Sequence, residues 1–287
     1  MRYSPIKGFF SLLSALFPTM VTRILFKHFL GYKLDMKKPQ TLNEKMQYLK
    51  LTEYKNNKLI TECVDKFLVR DVVSRKIGNK YLTNLYGVWN NADEIDFAEL
   101  PDSFVLKCNH GSGMNFVCSD KSKLDIEKCR VTLNNWLRRS FGNHRAEIMY
   151  RGIRRKIICE EFINTSDGKP PKDYKFFCSN GKVKFLFVAT DRIDDCTKFD
   201  YFYPNWEWIP VMNGHPNSES HPPKPDNLDE MIKIAEELSI SFPFVRVDLY
   251  NENGRILFGE LTFLHFAGLT PFKPAKYDYI FGELIDL

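Results

Sequence analysis

The sequence predicts an α+β fold in which antiparallel hairpins carry amphipathic helices at their sides, and three stretches of its 287 residues support that expectation. Val245 to Tyr250 and Arg255 to Phe263 are rich in β-branched and aromatic residues and flank the turn signal Asn251-Glu252-Asn253-Gly254. Asp173 to Cys178 and Lys182 to Val188 flank Ser179-Asn180-Gly181 in the same manner, giving a second hairpin. Asn227 to Leu238 sets Leu228, Met231, Ile232, Ala235 and Leu238 on one helical face.

The other elements follow in chain order. The N-terminus opens basic and runs apolar from Phe9 to Phe17, but Pro18, Arg23, Lys27 and His28 interrupt it before the roughly 20 apolar residues of a membrane span accumulate. The expectation is an amphipathic helical segment over residues 1–38, with peripheral membrane contact through residues 9–30 or a signal peptide as alternatives. Thr41-Leu-Asn-Glu44 is a capping box that starts a helix carrying Leu42, Met46 and Leu49. A single helix is expected from about Thr61 to Ser74, with Val64, Phe67, Leu68 and Val72 inward and Lys66 and Arg70 off that stripe. Phe104 to Lys107 and Phe116 to Cys118 read as paired strands, and a helix follows near Leu124 to Phe141. The basic run Arg151 to Lys156 reads as a solvated face, and the aromatic, proline-rich stretch from Asp191 to Pro225 as irregular strands and loops.

A hydrophobic content of 44% with 27% charge is ordinary for a soluble globular enzyme, and the length allows two domains or one large composite one. The net charge of +5 permits an anionic ligand without arguing for nucleic acid. Seven cysteines with no C-x-x-C pair suit a reducing compartment and give no zinc pattern.

Three places gather chemistry. In the Val245 hairpin, a three-residue loop of Glu252, Asn253 and Gly254 would set Arg246 opposite Glu260, with Asp248 diagonal to Glu260 and Thr262 on their face. Two carboxylates, a hydroxyl and a guanidinium on one face suit a Mg2+–phosphate site, since Mg2+ takes only one or two protein carboxylates. The competing reading is an exposed face of solvated ion pairs. Between the strands of the 104–118 hairpin, Asn109 to Met114 forms a glycine loop whose amides can turn to phosphate, with Lys107 as a point charge, although it lacks the Walker A pattern and would serve equally as a turn. His110 has no metal-spaced partner and reads as structural. Glu160 and Glu161 interrupt an apolar strand from Ile157 to Ile163, which places them at a domain edge, and Asp173 and Lys175 share one strand face.

In their order and spacing, TLNEKMQYLKL, VDKFLVRDVV, IDFAELPDSFVLKCNHGSG, ICEEFI, DYKFFCSNGKV, VRVDLYNENGRILFGELTF and YDYIFGELIDL resemble the TupA-like branch of the ATP-grasp superfamily, associated with teichuronopeptide and cell-surface polysaccharide biosynthesis. The resemblance covers most of the chain from about Pro39 onward. It implies an ATP-grasp fold, with ATP held between two mainly antiparallel sheets flanked by helices. It further implies a part over 39–103 whose helix carries Lys66, a glycine-loop lid over 104–160 and a C-terminal subdomain over 161–287. Lys66 and Lys107 match the lysines that hold ATP phosphates, and His110, Gly111, Ser112 and Gly113 lie in the matching lid. Glu161, Phe162 and Ile163, with Glu160 beside them, match the linker at adenine, and Asp173 the acid near ribose. Asp248 and Glu260 match the metal carboxylates, with Thr262 standing where many relatives have asparagine. Arg246 matches the arginine that steadies an oxyanion, and Lys175 joins it as a catalytic candidate. The Phe263 to Phe266 segment, with His265, departs from the small proline-containing turn of the superfamily.

The implied activity is an ATP- and Mg2+-dependent carboxylate–amine ligation through an acyl phosphate. Its cofactors are ATP and Mg2+, and its substrates an unidentified carboxylate and amine such as a uronic-acid glycan or an amino acid. The implied place is the cytoplasm, with the inner face of the cell membrane as the alternative. Two rivals stand beside it: a glycosyltransferase of the same pathway, although the sequence has no Asp-x-Asp, and a non-catalytic nucleotide-binding protein.

Overall fold

The computed structural model describes residues 5–192 and 197–287, with side chains from residue 11 onward. Two antiparallel sheets organise it. The smaller has the order β1-β4-β2-β3, from Leu85–Trp89 (β1), Phe104–Cys108 (β2), Asn115–Cys118 (β3) and Ile157–Glu161 (β4). The larger has the order β11-β10-β5-β6-β7-β8, from Asp173–Ser179 (β5), Lys182–Thr190 (β6), Lys198–Phe202 (β7), Trp208–Ile209 (β8), Val245–Glu252 (β10) and Arg255–Thr262 (β11). Met212–Asn213 (β9) pairs with Phe272–Lys273 (β12) beside it.

Each sheet has its own core. The smaller packs Phe104, Leu106, Cys108, Ile157 and Cys159 against Cys129 and Leu133 of Ile126–Leu137 (α6), whose first turn is capped by Asp125. The larger buries Phe176, Phe177, Phe185, Phe187, Val245 and Val247 among helices, and each such side chain contributes roughly 1.5–3 kcal/mol by leaving water. Those helices are Leu42–Leu51 (α3), which starts at the capping box on Thr41 and Glu44, and Leu228–Ser239 (α7), with Leu228, Met231, Ile234, Ala235 and Leu238 inward. Lys276–Glu283 (α8) closes the same core with Phe281. Pro5–Leu16 (α1) and Pro18–Leu30 (α2) precede them, and no described helix is long and apolar enough to cross a membrane. The six described cysteines are free and buried, and Cys196 lies outside the described residues, as do 193–195 of the irregular stretch.

Three local expectations are corrected. The helix expected from Thr61 to Ser74 is two helices, Lys58–Val64 (α4) and Val69–Ile77 (α5). Asp65 breaks it by accepting the amides of Phe67 (2.8 Å) and Leu68 (3.3 Å), a local side-chain bond that competes with the helix ladder. Phe67 and Leu68, expected inward, are half-buried and exposed respectively. The β10–β11 turn is the two-residue Asn253-Gly254, with Glu252 paired to Arg255. Both turn residues have positive φ (52° and 81°), the signature of a type I′ turn. A bulge at Gly259 absorbs the extra residue, so Asp248 lies directly opposite Glu260, and Arg246 opposite Thr262. Finally, Glu160 is no edge residue: β4 runs between β1 and β2, and Glu160 is 8% exposed.

Candidate functional site

The break between α4 and α5 positions Lys66. Its backbone N–H donates to Asn109 O (3.1 Å), and its Nζ donates to Gly111 O on the glycine loop. Asn109, fully buried, donates to Asp65 Oδ1 (2.9 Å) and Arg154 O (3.0 Å) and accepts from the Lys156 amide (2.8 Å), so one side chain fastens the root of the loop to the helix break. His110 turns away from the cleft, with its Nε2 3.1 Å from Arg139 O, and burial holds its imidazole below the usual range.

Glu160 sits between Arg70 and Lys107, 2.6 Å from each. Burial would raise its carboxyl, but the two cations hold it below the ordinary range, which is why a central strand tolerates an acid. Burial works against the Lys107 ammonium, and Glu160 outweighs it. Glu161 lies at the seam of the two sheets, paired with Arg255 at 2.6 Å and accepting the Asn84 amide.

The β10–β11 hairpin holds a second, larger cluster. The Arg246 guanidinium grips Asp248 with two 2.7 Å bonds and reaches Thr262 Oγ1 (3.0 Å) and Glu260 Oε1 (3.3 Å). With Arg246 7% and Asp248 1% exposed, the reading of a solvated surface pair is excluded. Lys175 bridges Asp248 and Asp173, lying 2.6 Å from the latter, and Arg192 stands 3.5 Å from the same Asp173 oxygen. Burial pushes the Asp248 carboxyl up, to about 6, against the pull of Arg246 and Lys175. Glu260, in contrast, opens to the cleft, its side chain 38% exposed. Burial would raise it, yet Lys66, Lys175 and Arg246 hold it at about 2.

Behind Arg246 stands His265, at the head of the 265–268 turn where Phe266 and Ala267 adopt left-handed φ of 47° and 58°. Gln47 pins that strained turn by donating to Ala267 O and Gly268 O, both at 2.8 Å. Arg246 can only donate, so His265 Nδ1 accepts (2.6 Å) and Nε2 carries the proton toward Asn213 Oδ1 (3.0 Å). Burial and Arg246 push this histidine well below its ordinary range, consistent with a neutral ring.

Two chambers open onto these groups. The outer one, about 250 Å³, is lined by Lys66, Lys107, Lys175 and Arg192 together with Asp173, Asp248 and Glu260. The inner one, about 240 Å³, is lined by Arg246, Thr262, Glu147, Tyr150, Phe141 and Phe266 among others. Lys66, Ser112, Gly259 and Glu260 belong to both walls. Of the residues singled out in the sequence, Gly111 and Gly113 line one chamber each, whereas His110, Glu160, Glu161, Phe162 and Ile163 line neither. Arg192, Glu147 and Tyr150 on loops and a short turn, and Asn213 on a two-residue strand, escaped the sequence reading because no periodicity or motif marks them.

The residues fit a triphosphate and a hard cation. Asp173 Oδ1 is buried without a partner and suits a hydroxyl donor. Glu260 Oε2 accepts no hydrogen bond from a described residue, and directly opposite it stands the Asp248 carboxyl, whose oxygens Arg246 and Lys175 occupy. Among the described residues no group of three His, Cys, Asp or Glu could hold a metal ion by itself.

Paired lysines and a carboxylate pair enclosed between two antiparallel sheets define the ATP-grasp class. Within it, the chain belongs to the TupA-like ATP-grasp family, whose sequence profile matches residues 44–286. No curated protein matches the sequence. Among solved structures, similarity extends to the D-alanine–D-alanine ligase of Bacillus anthracis complexed with ATP, at 15% identity and TM-score 0.45, over 70% of this chain and 55% of that one. It extends also to the ATP-grasp ligase PsnB complexed with a minimal precursor (14%, 0.42, 75% and 57%) and to the L-amino acid ligase of Bacillus licheniformis (12%, 0.43, 83% and 53%). The chain thus spans little more than half the length of these three proteins.

Proposed function

We propose that this protein is an ATP- and Mg2+-dependent carboxylate–amine ligase that works through an acyl phosphate. The observation that carries the reading is the meeting of two chambers at Glu260 and Lys66, a basic outer one sized for phosphates and a mixed inner one beside it. Phosphoryl transfer needs positioning and charge neutralisation more than covalent help. Lys66, Lys107 and Lys175 bind the phosphates, the 109–114 loop covers them, and Asp173 takes a ribose hydroxyl through its open oxygen. The 161–163 segment, which lines neither chamber, is assigned to the adenine on the family resemblance. Asp248 and Glu260 would hold Mg2+, which neutralises the phosphate charge when bound. Thr262 orients both Glu260 and Arg246 through its hydroxyl.

The substrate carboxylate attacks the γ-phosphate from the inner chamber, releasing ADP. An amine then displaces phosphate from the acyl carbon, and Arg246 steadies the negative charge that develops on oxygen. The family membership favours a role in cell-surface polysaccharide or peptide-polymer biosynthesis, with a uronic acid or amino acid as substrate. Exposed Leu12, Leu16, Phe17, Met20, Ile24 and Phe29, beside Arg23 and Lys27, support peripheral contact with the inner membrane face.

The test is thermal stabilisation by Mg-ATP, Mg-ADP and a panel of nucleotide sugars, followed by ADP release with candidate carboxylates and amines. A ligand at a hundred times its Kd stabilises by about 2.7 kcal/mol. Stabilisation by adenine nucleotides with substrate-dependent ADP release is expected, whereas stabilisation by a nucleotide sugar alone would replace the ligase with a glycosyltransferase.

A further inference from the structure

Glu147 is 7% exposed and lines the inner chamber. The loop that carries it is built to bring it there: Gly142 (φ 72°) accepts the Glu147 amide at 3.1 Å, and a side chain at 142 would meet Glu147 Cβ at 2.8 Å. Arg151 Nη2 donates to Ser14 O (3.0 Å), which ties α1 to the back of this loop.

Buried acids with a purely structural task are hydrogen-bonded, as Glu160 is to Arg70 and Lys107. The Glu147 carboxylate, by contrast, accepts no hydrogen bond from a described residue, and it faces a cavity. The charged groups around it are Lys50 from α3, itself 1% exposed and donating to Arg145 O (3.2 Å), Arg145 on its own loop, and Lys66, Arg246 and Glu260 in the other chamber walls, with neutral Cys63 and Tyr150 between them. Burial disfavours the ionised carboxyl, Lys50 is its chief countercharge, and an incoming cation in the chamber stabilises the anion further.

We propose that Glu147 is the carboxylate that receives the ammonium group of the amine substrate in the inner chamber and takes the proton that frees the nitrogen to attack, an assignment that rests on the ligase reading. The substrate R–NH3+ gives one proton to Glu147 and becomes R–NH2. Its lone pair forms the C–N bond to the acyl phosphate carbon, the C–O bond to phosphate breaks, and phosphate leaves with that electron pair and the second nitrogen proton. Burial raises the Glu147 carboxyl against the pull of Lys50 and lowers Lys50 against the pull of Glu147, so the acid holds a proton more readily than an exposed glutamate does.

The experiment compares two nucleophiles at pH 7: hydroxylamine, which is uncharged there, and a panel of α-amino acids and amino sugars, which are ammonium ions. With Glu147→Gln, the ratio of amide to hydroxamate is expected to fall at least tenfold below that of the wild type. An equal ratio in the two proteins overturns the assignment and leaves the ligase standing. No Mg-ATP-dependent ADP release by the wild type with any carboxylate or amine removes the ligase reading and this one together. Should Glu147→Gln show no thermal transition, Glu147→Asp takes its place. A KM for the amine raised at least fivefold more than that for ATP then supports the assignment, and equal changes refute it.

Discussion

Glu160 and Asp248 are the same device in two surroundings: a buried carboxylate held between one arginine and one lysine. Glu160 has Arg70 and Lys107 at 2.6 Å, and they keep its carboxyl low in spite of burial. Asp248 is gripped by Arg246 and touched by Lys175, yet burial pushes it up to about 6. The difference lies in sharing. Lys175 also serves Asp173, and Arg246 also serves Glu260, so negative charge around Asp248 is compensated less completely. A balanced triad acts as a clasp, here between α5 and the smaller sheet. An undercompensated cluster that opens on a cleft is suited to receive a further cation.

The comparison can be broken most directly at its closed end. Glu160→Ala would leave the half-buried Arg70 and Lys107 without their anion, and about 3 kcal/mol of unfolding free energy is expected to disappear in urea titrations. A loss under 1 kcal/mol would show that the clasp is not one. At the open end, Glu260→Ala is expected to lower ADP release about a hundredfold, close to 2.7 kcal/mol of transition-state stabilisation. Its urea midpoint should fall by less than that of Glu160→Ala, because solvent at the side chain screens its pairing with Lys66, Lys175 and Arg246. Lys107→Ala touches both regions at once: Mg-ATP binding measured by calorimetry should weaken about tenfold or slightly more, near 1.4 kcal/mol. Its cost in stability should be smaller than that of Glu160→Ala, since Arg70 still meets the acid.

A third buried carboxylate sharpens the series because its bonds come from a neutral residue. Asp278 accepts the Asn43 amide (3.0 Å) and Asn43 Nδ2 (2.8 Å), and burial raises it from 3.8 to about 6. Between those values the folded protein binds more protons than the unfolded chain, so this group's contribution to stability falls as pH rises through the window. The slope is at most about 1.4 kcal/mol per pH unit. Comparing urea unfolding of wild type and Asp278→Asn across the window should show that slope only in the wild type. Parallel curves would place the proton elsewhere.

How far the site could be read in advance followed from the range of the interactions. The capping box on Thr41 and Glu44, the α7 stripe apart from Ile232, which is half-buried where Ile234 turns inward, and both hairpins are local patterns, and they stand where the sequence puts them. The β10–β11 register misled, because Asn-Gly can close a tighter turn than the one expected when a bulge at Gly259 takes up the difference. Asp65 ended a helix whose apolar spacing continued through it. The partners of Glu160 come from 53 and 90 residues away, and nothing next to Glu160 in the chain announces them.

The sequence by itself determined the α+β class, the family motifs and the residue types that a phosphate and metal site requires, because side-chain period, turn chemistry and motif spacing are written within a few residues of one another. The tertiary structure decided which acids are compensated, which loop closes the inner chamber and that Glu147 faces it. Burial and electrostatic balance depend on groups brought together from distant parts of the chain, and only the packed fold sets those distances.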